Sequence, residues 1–254
     1  MYNVLLSLGA GALVGALAWA LFGFLAAIVP ALLVSVLAMF LLSRRTAGQV
    51  EAEVKRVLPL LQERRIDEAQ TLLTAVKHKY GRWQLLLEGQ IDAQLGMIDY
   101  LQMKFDEARP KLESGKWRNW SALLALAAIH WRQGRKDEAW KKFEEAASAG
   151  PKESLVYCVW ATLLAREGLR KEALAAVAKG VAQQPTSQVL KDLQARVAND
   201  RKIDPKAFGE LWFQYFPEDL AKEMVMRGRR APGPLQQQQQ GPQPRFGARH
   251  APRR

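Results

Sequence analysis

Residues 120–153, WSALLALAAIHWRQGRKDEAWKKFEEAASAGPKE, and residues 154–187, SLVYCVWATLLAREGLRKEALAAVAKGVAQQPTS, carry one pattern twice at a spacing of 34. Leu123, Leu126, Ala127, His130, Ala139, Phe143, Ala146 and Pro151 stand at the same offsets as Tyr157, Trp160, Ala161, Leu164, Ala173, Val177, Gly180 and Pro185. Apolar residues three and four apart mark one face of a helix. The polar turns GRKDEA (Gly134 to Ala139) and GLRKEA (Gly168 to Ala173) divide each copy into two short helices. Small residues such as Ala127, Ala139, Ala161 and Ala173 belong where two helices cross closely, with larger side chains filling the space around them. A helix pair of this length cannot bury its apolar face alone, so neighbouring pairs stack and share a core. The closing proline ends the second helix because it lacks an N–H and disfavours helix in the residue before it.

The large–large–small pattern, the pivotal alanine and the closing proline at this period resemble the tetratricopeptide repeat. The resemblance implies an all-α helical scaffold; with the apolar leading block and the Pro/Gln/Arg-rich end, the expected fold is an N-terminal transmembrane helical hairpin followed by a TPR-like α-solenoid and a disordered C-terminal tail. The segments expected are 1–43 for the hairpin anchor, 44–200 for the solenoid, 201–230 for amphipathic helices and 231–254 for the tail. Within the solenoid, 120–153 and 154–187 are the clearest repeats. RIDEA (Arg65 to Ala69) and KFDEA (Lys104 to Ala108) mark two degenerate ones, so the pivotal alanines are Ala69, Ala108, Ala139 and Ala173. Asp92 stands where a large apolar residue is expected.

Charge divides the chain sharply. The net charge is +12, yet residues 1–43 hold no Lys, Arg, Asp or Glu, and the seven arginines from Arg227 onward supply +7. The apolar run from Val4 to Leu42 corresponds to about 60 Å of helix, too long for one straight span of a hydrocarbon core about 30 Å thick. Two spans turning near Phe22-Gly23-Phe24 fit better. Gly11 and Gly15, with Ala12, Ala16 and Ala20, form small-residue rows that permit close helix packing. Trp19, Phe22 and Phe24 suit the far interface. Pro30 is expected to kink the second span. A single span preceded by a re-entrant segment, and a cleavable signal peptide, are the other readings; the absence of a basic leader and the length of the run weigh against the latter. Arg44, Arg45, Lys55, Arg56, Arg64 and Arg65 follow at once, which places the solenoid and tail on the cytoplasmic side. The sequon Asn119-Trp120-Ser121 would then never meet the glycosylation machinery.

Val50, Val54, Val57, Leu58 and Leu61 make the first soluble stripe, with Pro59 expected to bend that helix. After Pro185, Thr186 or Ser187 is a cap for a helix carrying Val189, Leu190, Leu193 and Val197 on one face. Asp204-Pro205 is a further helix start. It opens an aromatic stripe of Phe208, Leu211, Trp212, Tyr215 and Phe216 that completes the core, lies on a membrane or docks a partner. Pro217 breaks it, and a short helix over Glu218–Met226 is expected next. The tail of Pro, Gln, Gly and Arg has almost nothing to bury.

No metal-ligand cluster, phosphate loop, nucleophile elbow or HExxH motif occurs in the sequence. His78 and His250 lack companions at ligand spacing and His130 takes a packing position. Cys158 has no partner, so there is no disulfide framework. The expectation is a protein without catalytic residues, cofactor, metal or small-molecule substrate. In the family the resemblance implies, the first helix of each repeat lines a groove for a peptide or helix. By offset, Ala93, Met97 and Tyr100, then Leu124, Ala128, Trp131 and Arg132, then Cys158, Thr162, Ala165 and Arg166 face it. Leu124 with Ala128, and Cys158 with Thr162, replace the Lys and Asn of a carboxylate clamp. Apolar walls rimmed by Arg132 and Arg166 suit an amphipathic helix with acidic flanks, or a docking segment of the same chain. The expected function is therefore a membrane-anchored adaptor that binds a protein partner. The rivals are a structural subunit of a membrane complex, and an arginine-tail tether to anionic lipid or, more weakly, nucleic acid.

Overall fold

The computed structural model describes residues 2–83 and 86–219; among them every regular element is helical. The chain divides into two compact units, residues 1–151 and 152–254. The expected tail and most of the helix expected over 218–226 lie outside the described residues.

Unit 1 opens with two long apolar helices, α1 (Tyr2–Phe22) and α2 (Phe24–Val54), joined by Gly23 alone. Gly23 has φ +85°, a conformation that favours glycine. The helices are antiparallel, and their contacts step along the seam by one or two turns. Asn3 Nδ2 donates to Thr46 Oγ1 (3.1 Å), Ser7 meets Met39 Sδ (3.7 Å), Gly11 faces Ala31 and Ser35, and Gly15 faces Ala31. A Cβ on Gly11 would run into the Ala31 carbonyl and the Ser35 side chain, so the small residues permit this approach. α2 stays helical through Pro30. The outward faces are greasy and uncovered: Leu13, Leu17, Leu25, Leu32 and Val36 are each at least 62% exposed. Both helices are long and apolar enough to cross a membrane.

The hairpin is not set off by a linker. α2 continues unbroken past Ser43, Arg44 and Arg45 to Val54, so the helix carries straight across the boundary drawn at residue 43. It breaks at Lys55 and Arg56, before α3 (Val57–Gln62). Pro59 accounts for the position, since its ring clashes with the carbonyl four residues earlier, that of Lys55. The break changes the phase of the stripe. Val50 and Val57 are buried and Val54, Leu60 and Leu61 pack beside them, while Leu58, expected on that face, is 57% exposed. These residues share a core with Ala69, Leu73, Val76 and Tyr80 of α4 (Ile66–Tyr80) and Leu87, Ile91, Leu95 and Ile98 of α5 (Leu87–Leu101). The N-terminus of α1 reaches the same region: Tyr2 N donates to Arg82 O (2.9 Å) and Asn3 N to Trp83 O (3.3 Å). α6 (Phe105–Ser114), α7 (Trp120–Arg132) and α8 (Lys136–Ala149) complete unit 1. Asn119 of the sequon is the N-cap of α7, its side chain accepting from Ala122 N.

Unit 2 holds α9 (Ser154–Arg166), α10 (Arg170–Gln183), α11 (Gln188–Ala198), a 3-10 turn (Pro205–Phe208) and α12 (Glu210–Tyr215). Ser187 occupies the N-cap position of α11, but its hydroxyl makes no capping bond and stands 3.5 Å from Ser154 Oγ. Leu190, Leu193 and Val197 are buried and Val189 is exposed. Arg170 reaches the other end of α11, donating to the carbonyls of Val197 and Ala198 in its last turn. The single helix expected after Pro205 is two pieces, because Gly209, at φ +75°, interrupts it.

One turn recurs four times. The residues before the pivotal alanines' helices, Arg65, Lys104, Arg135 and Leu169, have φ of −83 to −84° and ψ of 64 to 69°. Each follows a residue with positive φ: Arg64, Met103, Gly134 and Gly168. Each also donates its N–H to a carbonyl five residues back, at Leu60, Asp99, His130 and Leu164. That is a Schellman-type ending of the preceding helix. Ala69, Ala108, Ala139 and Ala173, which follow each turn, are all fully buried.

Candidate partner-binding faces

The polar residues of α5 explain its departure from the repeat pattern. Asp92 and Asp99 stand two turns apart on one face and are 7% and 1% exposed. Asp92 accepts from Lys77 Nζ of α4 (2.7 Å) and from Ser114 Oγ of α6 (2.8 Å). Asp99 accepts from Gln70 Nε2 of α4 (2.7 Å) and pairs with Lys111 of α6. The hydrogen bond to Asp92 raises the Lys77 pKa. Each carboxylate thus bridges the helices on either side of α5, replacing part of an apolar contact with charge-assisted bonds. In sequence these acids look like a defect, since their partners lie 12 to 29 residues away.

The groove residues of unit 1 are brought together, but not as an open wall. Tyr100 and Leu124 are fully buried, as is Ala128, and Met97, Trp131 and Arg132 are half-buried. Arg132 Nη1 donates to Tyr100 Oη (2.7 Å), and its guanidinium lies 5.5 Å from the Tyr100 ring centre and 4.9 Å from that of Phe105. Arg132 is therefore held by cation–π contacts with two rings that themselves meet edge to face, and by a hydrogen bond, instead of projecting from a rim. Ser121 Oγ lies 4.0 Å from Met97 Sδ. Beside this face, His130 is 7% exposed, and its Nδ1 stands 2.9 Å from Glu138 Oε2. Burial, reinforced by the charge of Arg135, lowers the His130 pKa against the opposing pull of Glu138 and Glu113.

In unit 2 the corresponding residues meet the chain's own C-terminal aromatic segment. Thr162 is 1% exposed, so it is core, not groove surface. Arg166 Nη2 pairs with Asp219 Oδ2 (3.0 Å), and its guanidinium lies 5.4 Å from the Trp212 ring centre. Trp212 Nε1 donates to the same Asp219 oxygen (3.1 Å). Trp212 stacks on Phe216, with ring centres 4.7 Å apart, and lies 5.5 Å from Phe208. Trp212, Tyr215 and Phe216 are at most 2% exposed, Phe208 is half-buried and Leu211 is 51% exposed. α12 packs on α9. A docking segment of the same chain therefore occupies this Arg166 face, and the acidic flank it meets is Asp219. Arg166 and Asp219 are 53 residues apart, a separation over which periodicity carries no signal.

Cys158 is 1% exposed, and burial pushes its thiol up to about 12, so it stays protonated. Among the described residues, no group of three or more His, Cys, Asp and Glu is placed to hold a metal ion. No curated protein matches the chain. The tetratricopeptide repeat family model matches residues 120–163, which run from the start of α7 through α8 into α9, in keeping with the helical-repeat architecture.

Proposed function

We propose that this protein is a membrane-anchored scaffold whose helical repeats hold a protein partner at the cytoplasmic face. The observation that carries the reading is the pairing of a repeat stack with a hairpin whose apolar surface has no cover. Only about a tenth of the apolar window of either helix is buried. The core helix of a soluble protein would bury most of such a surface, because apolar area left in water costs roughly 25 cal/mol per Å². α1, at 21 residues, and the 19 residues from Phe24 to Leu42 each match a hydrocarbon core about 30 Å thick. Arg44 and Arg45, both exposed at the soluble end, favour the cytoplasmic side by the positive-inside rule. The tetratricopeptide match supports protein recognition as the work of the repeats.

The face best suited to a partner is that around Met97, Trp131 and Arg132 in unit 1. The Arg166 face of unit 2 already carries α12. Crosslinking of the full-length protein in native membranes, followed by mass spectrometry, tests this. Trp131→Ala should abolish crosslinks to the partner while leaving the protein in the membrane fraction. Unchanged crosslinks would transfer recognition to another surface. Recovery of the full chain in the soluble fraction would remove the anchor.

A second reading, a structural subunit whose hairpin packs against other spans, is favoured by the direct continuity of α2 with the repeat core. Under it, crosslinks would concentrate on α1 and α2 and survive Trp131→Ala.

A further inference from the structure

We propose that a second part of unit 1 touches the bilayer: Arg82, Trp83 and Leu86, which precede α5, and the loop of residues 115–119 before α7 rest in the headgroup layer of an anionic membrane. This rests on the hairpin reading above. The starting observation is where those loops lie. The N-terminus of α1, which would enter the bilayer, is bonded to the Arg82 and Trp83 carbonyls, and the Tyr2 and Trp83 rings meet edge to face at 5.4 Å. The end of α4 and the start of α5 are therefore level with the mouth of the hairpin.

Successive helices of unit 1 then alternate in direction. α5 leads away from that level, α6 returns to it, and the loop before α7 comes back to the same end. The return is visible directly: Leu86, at the start of α5, and Trp117, in the loop after α6, line one open depression of about 680 Å³. The opposite ends of the same helices carry the Arg64 and Met103 turns.

What these two loops display is unusual for a water-facing surface. Trp83 is 40% exposed, Leu86 42% and Trp117 61%. Leu86 and Arg118, both exposed, have positive φ, at +67° and +51°, a costly backbone for bulky residues. Arg82 and Arg118 are exposed beside the aromatic rings, and the Arg118 guanidinium lies 5.6 Å from the centre of the Trp117 ring. The acid on the depression's lining, Glu88, is already paired with Lys77 at 3.5 Å. Tryptophan with arginine is the composition of a membrane–water interface, where an amphipathic ring sits among headgroups and a guanidinium meets lipid phosphate. Arg44 and Arg45, exposed at the end of the apolar stretch of α2, continue the same basic layer. A protein partner for this patch is disfavoured by its position flush with the hairpin mouth, where the bilayer itself is the adjoining surface.

The test places single nitroxide labels on the full-length protein reconstituted in phosphatidylcholine vesicles containing phosphatidylglycerol. Cys158, buried in unit 2, stays unlabelled. Labels at Trp83→Cys and Trp117→Cys, each leaving the other tryptophan in place, should show headgroup depth by oxygen and polar-reagent collision. A label at Lys104→Cys, beyond the far end of the 15-residue α5, about 22 Å away, should be fully aqueous. A label at Leu32→Cys in α2 should be deep. If the 83 and 117 labels are as aqueous as that at 104 while 32 is deep, the proposal falls and the hairpin reading stands. If 32 is aqueous, the hairpin reading falls and takes this one with it. Arg82→Glu with Arg118→Glu should shift the 117 label into water; no shift would overturn the role of anionic lipid.

Discussion

At the scale of single residues, charge is used inside the repeats as cross-bracing. Asp99 is the clearest case, since it is 1% exposed and its cation, Lys111, keeps 37% of its side chain in solvent. The two deletions should therefore differ. Lys111→Met strands a buried carboxylate with only Gln70 for company and should cost about 3 kcal/mol, whereas the double change Asp99→Leu with Lys111→Met should recover most of that loss. Urea denaturation of the two variants decides it, and a double variant no better than the single would refute the bracing role. His130 makes the second case, with the sign set by its surroundings. Burial and Arg135 disfavour its charged form, so the folded pKa lies below the ordinary 6.5. Below pH 6.5 the unfolded chain binds a proton that the fold resists, and stability falls until the folded imidazole also titrates. His130→Gln should flatten that slope in thermal melts between pH 7 and 5; a parent stability indifferent to this window would contradict the assignment. The spacing of residues identifies neither role, because periodicity ranks positions by apolarity and is blind to partners on other helices.

At the scale of elements, the parts read most readily from sequence were those with local causes. The helix pairs of 120–187, the pivotal alanines and the turn at Gly23 follow from side-chain period, close approach and backbone freedom. The four matching turns show where local reading stops. Gly134 and Gly168 announce a left-handed residue, whereas Arg64 and Met103 adopt the same conformation with nothing in their chemistry to signal it. A side chain there costs roughly 1 kcal/mol. Met103→Gly should accordingly stabilise unit 1 by about that much, and Gly134→Ala should destabilise it by about the same, each measured by denaturant midpoint. Equal midpoints for parent and both variants would mean that the turns carry no strain. The aromatic stripe was legible as amphipathic but not as to what it faces. Of its five residues, Trp212 is fully buried against Arg166 and Phe216, and Leu211 points away. Trp212→Ala should therefore cost about 4 kcal/mol, in the range for buried tryptophan, and Leu211→Ala less than 0.5 kcal/mol. Equal costs would return α12 to a loosely attached role.

At the scale of the whole molecule, the decisive feature is how the apolar hairpin joins the repeats, which composition alone does not show. The abrupt change at residues 43 and 44 looks like a domain boundary, yet the helix ignores it, because Ser43, Arg44 and Arg45 are compatible with helix and only Pro59 forces a break. One rod thus presents an apolar surface along its first half and, a few turns later, contributes Val50 to the core it shares with α4 and α5. Under the proposed scaffold role, a joint built this way would hold a partner at a set height and azimuth above the membrane, as a flexible tether would not. The consequence is a dependence on helical phase. Inserting two alanines between Ser43 and Arg44 would keep α2 helical but turn everything after it by about 200° relative to α1. Thr46 would leave Asn3, and Tyr2 and Asn3 would lose the Arg82 and Trp83 carbonyls, while Val50 and α4 would turn together and keep their contact. Losing those three hydrogen bonds, at about 1 kcal/mol each, should destabilise unit 1 by about 3 kcal/mol. The same two alanines placed between Lys116 and Trp117, in a loop outside any helix, should cost well under half as much. Thermal unfolding of both full-length variants in detergent micelles compares them directly, and an insertion at residue 43 tolerated as well as the loop insertion would mean that the joint is a hinge.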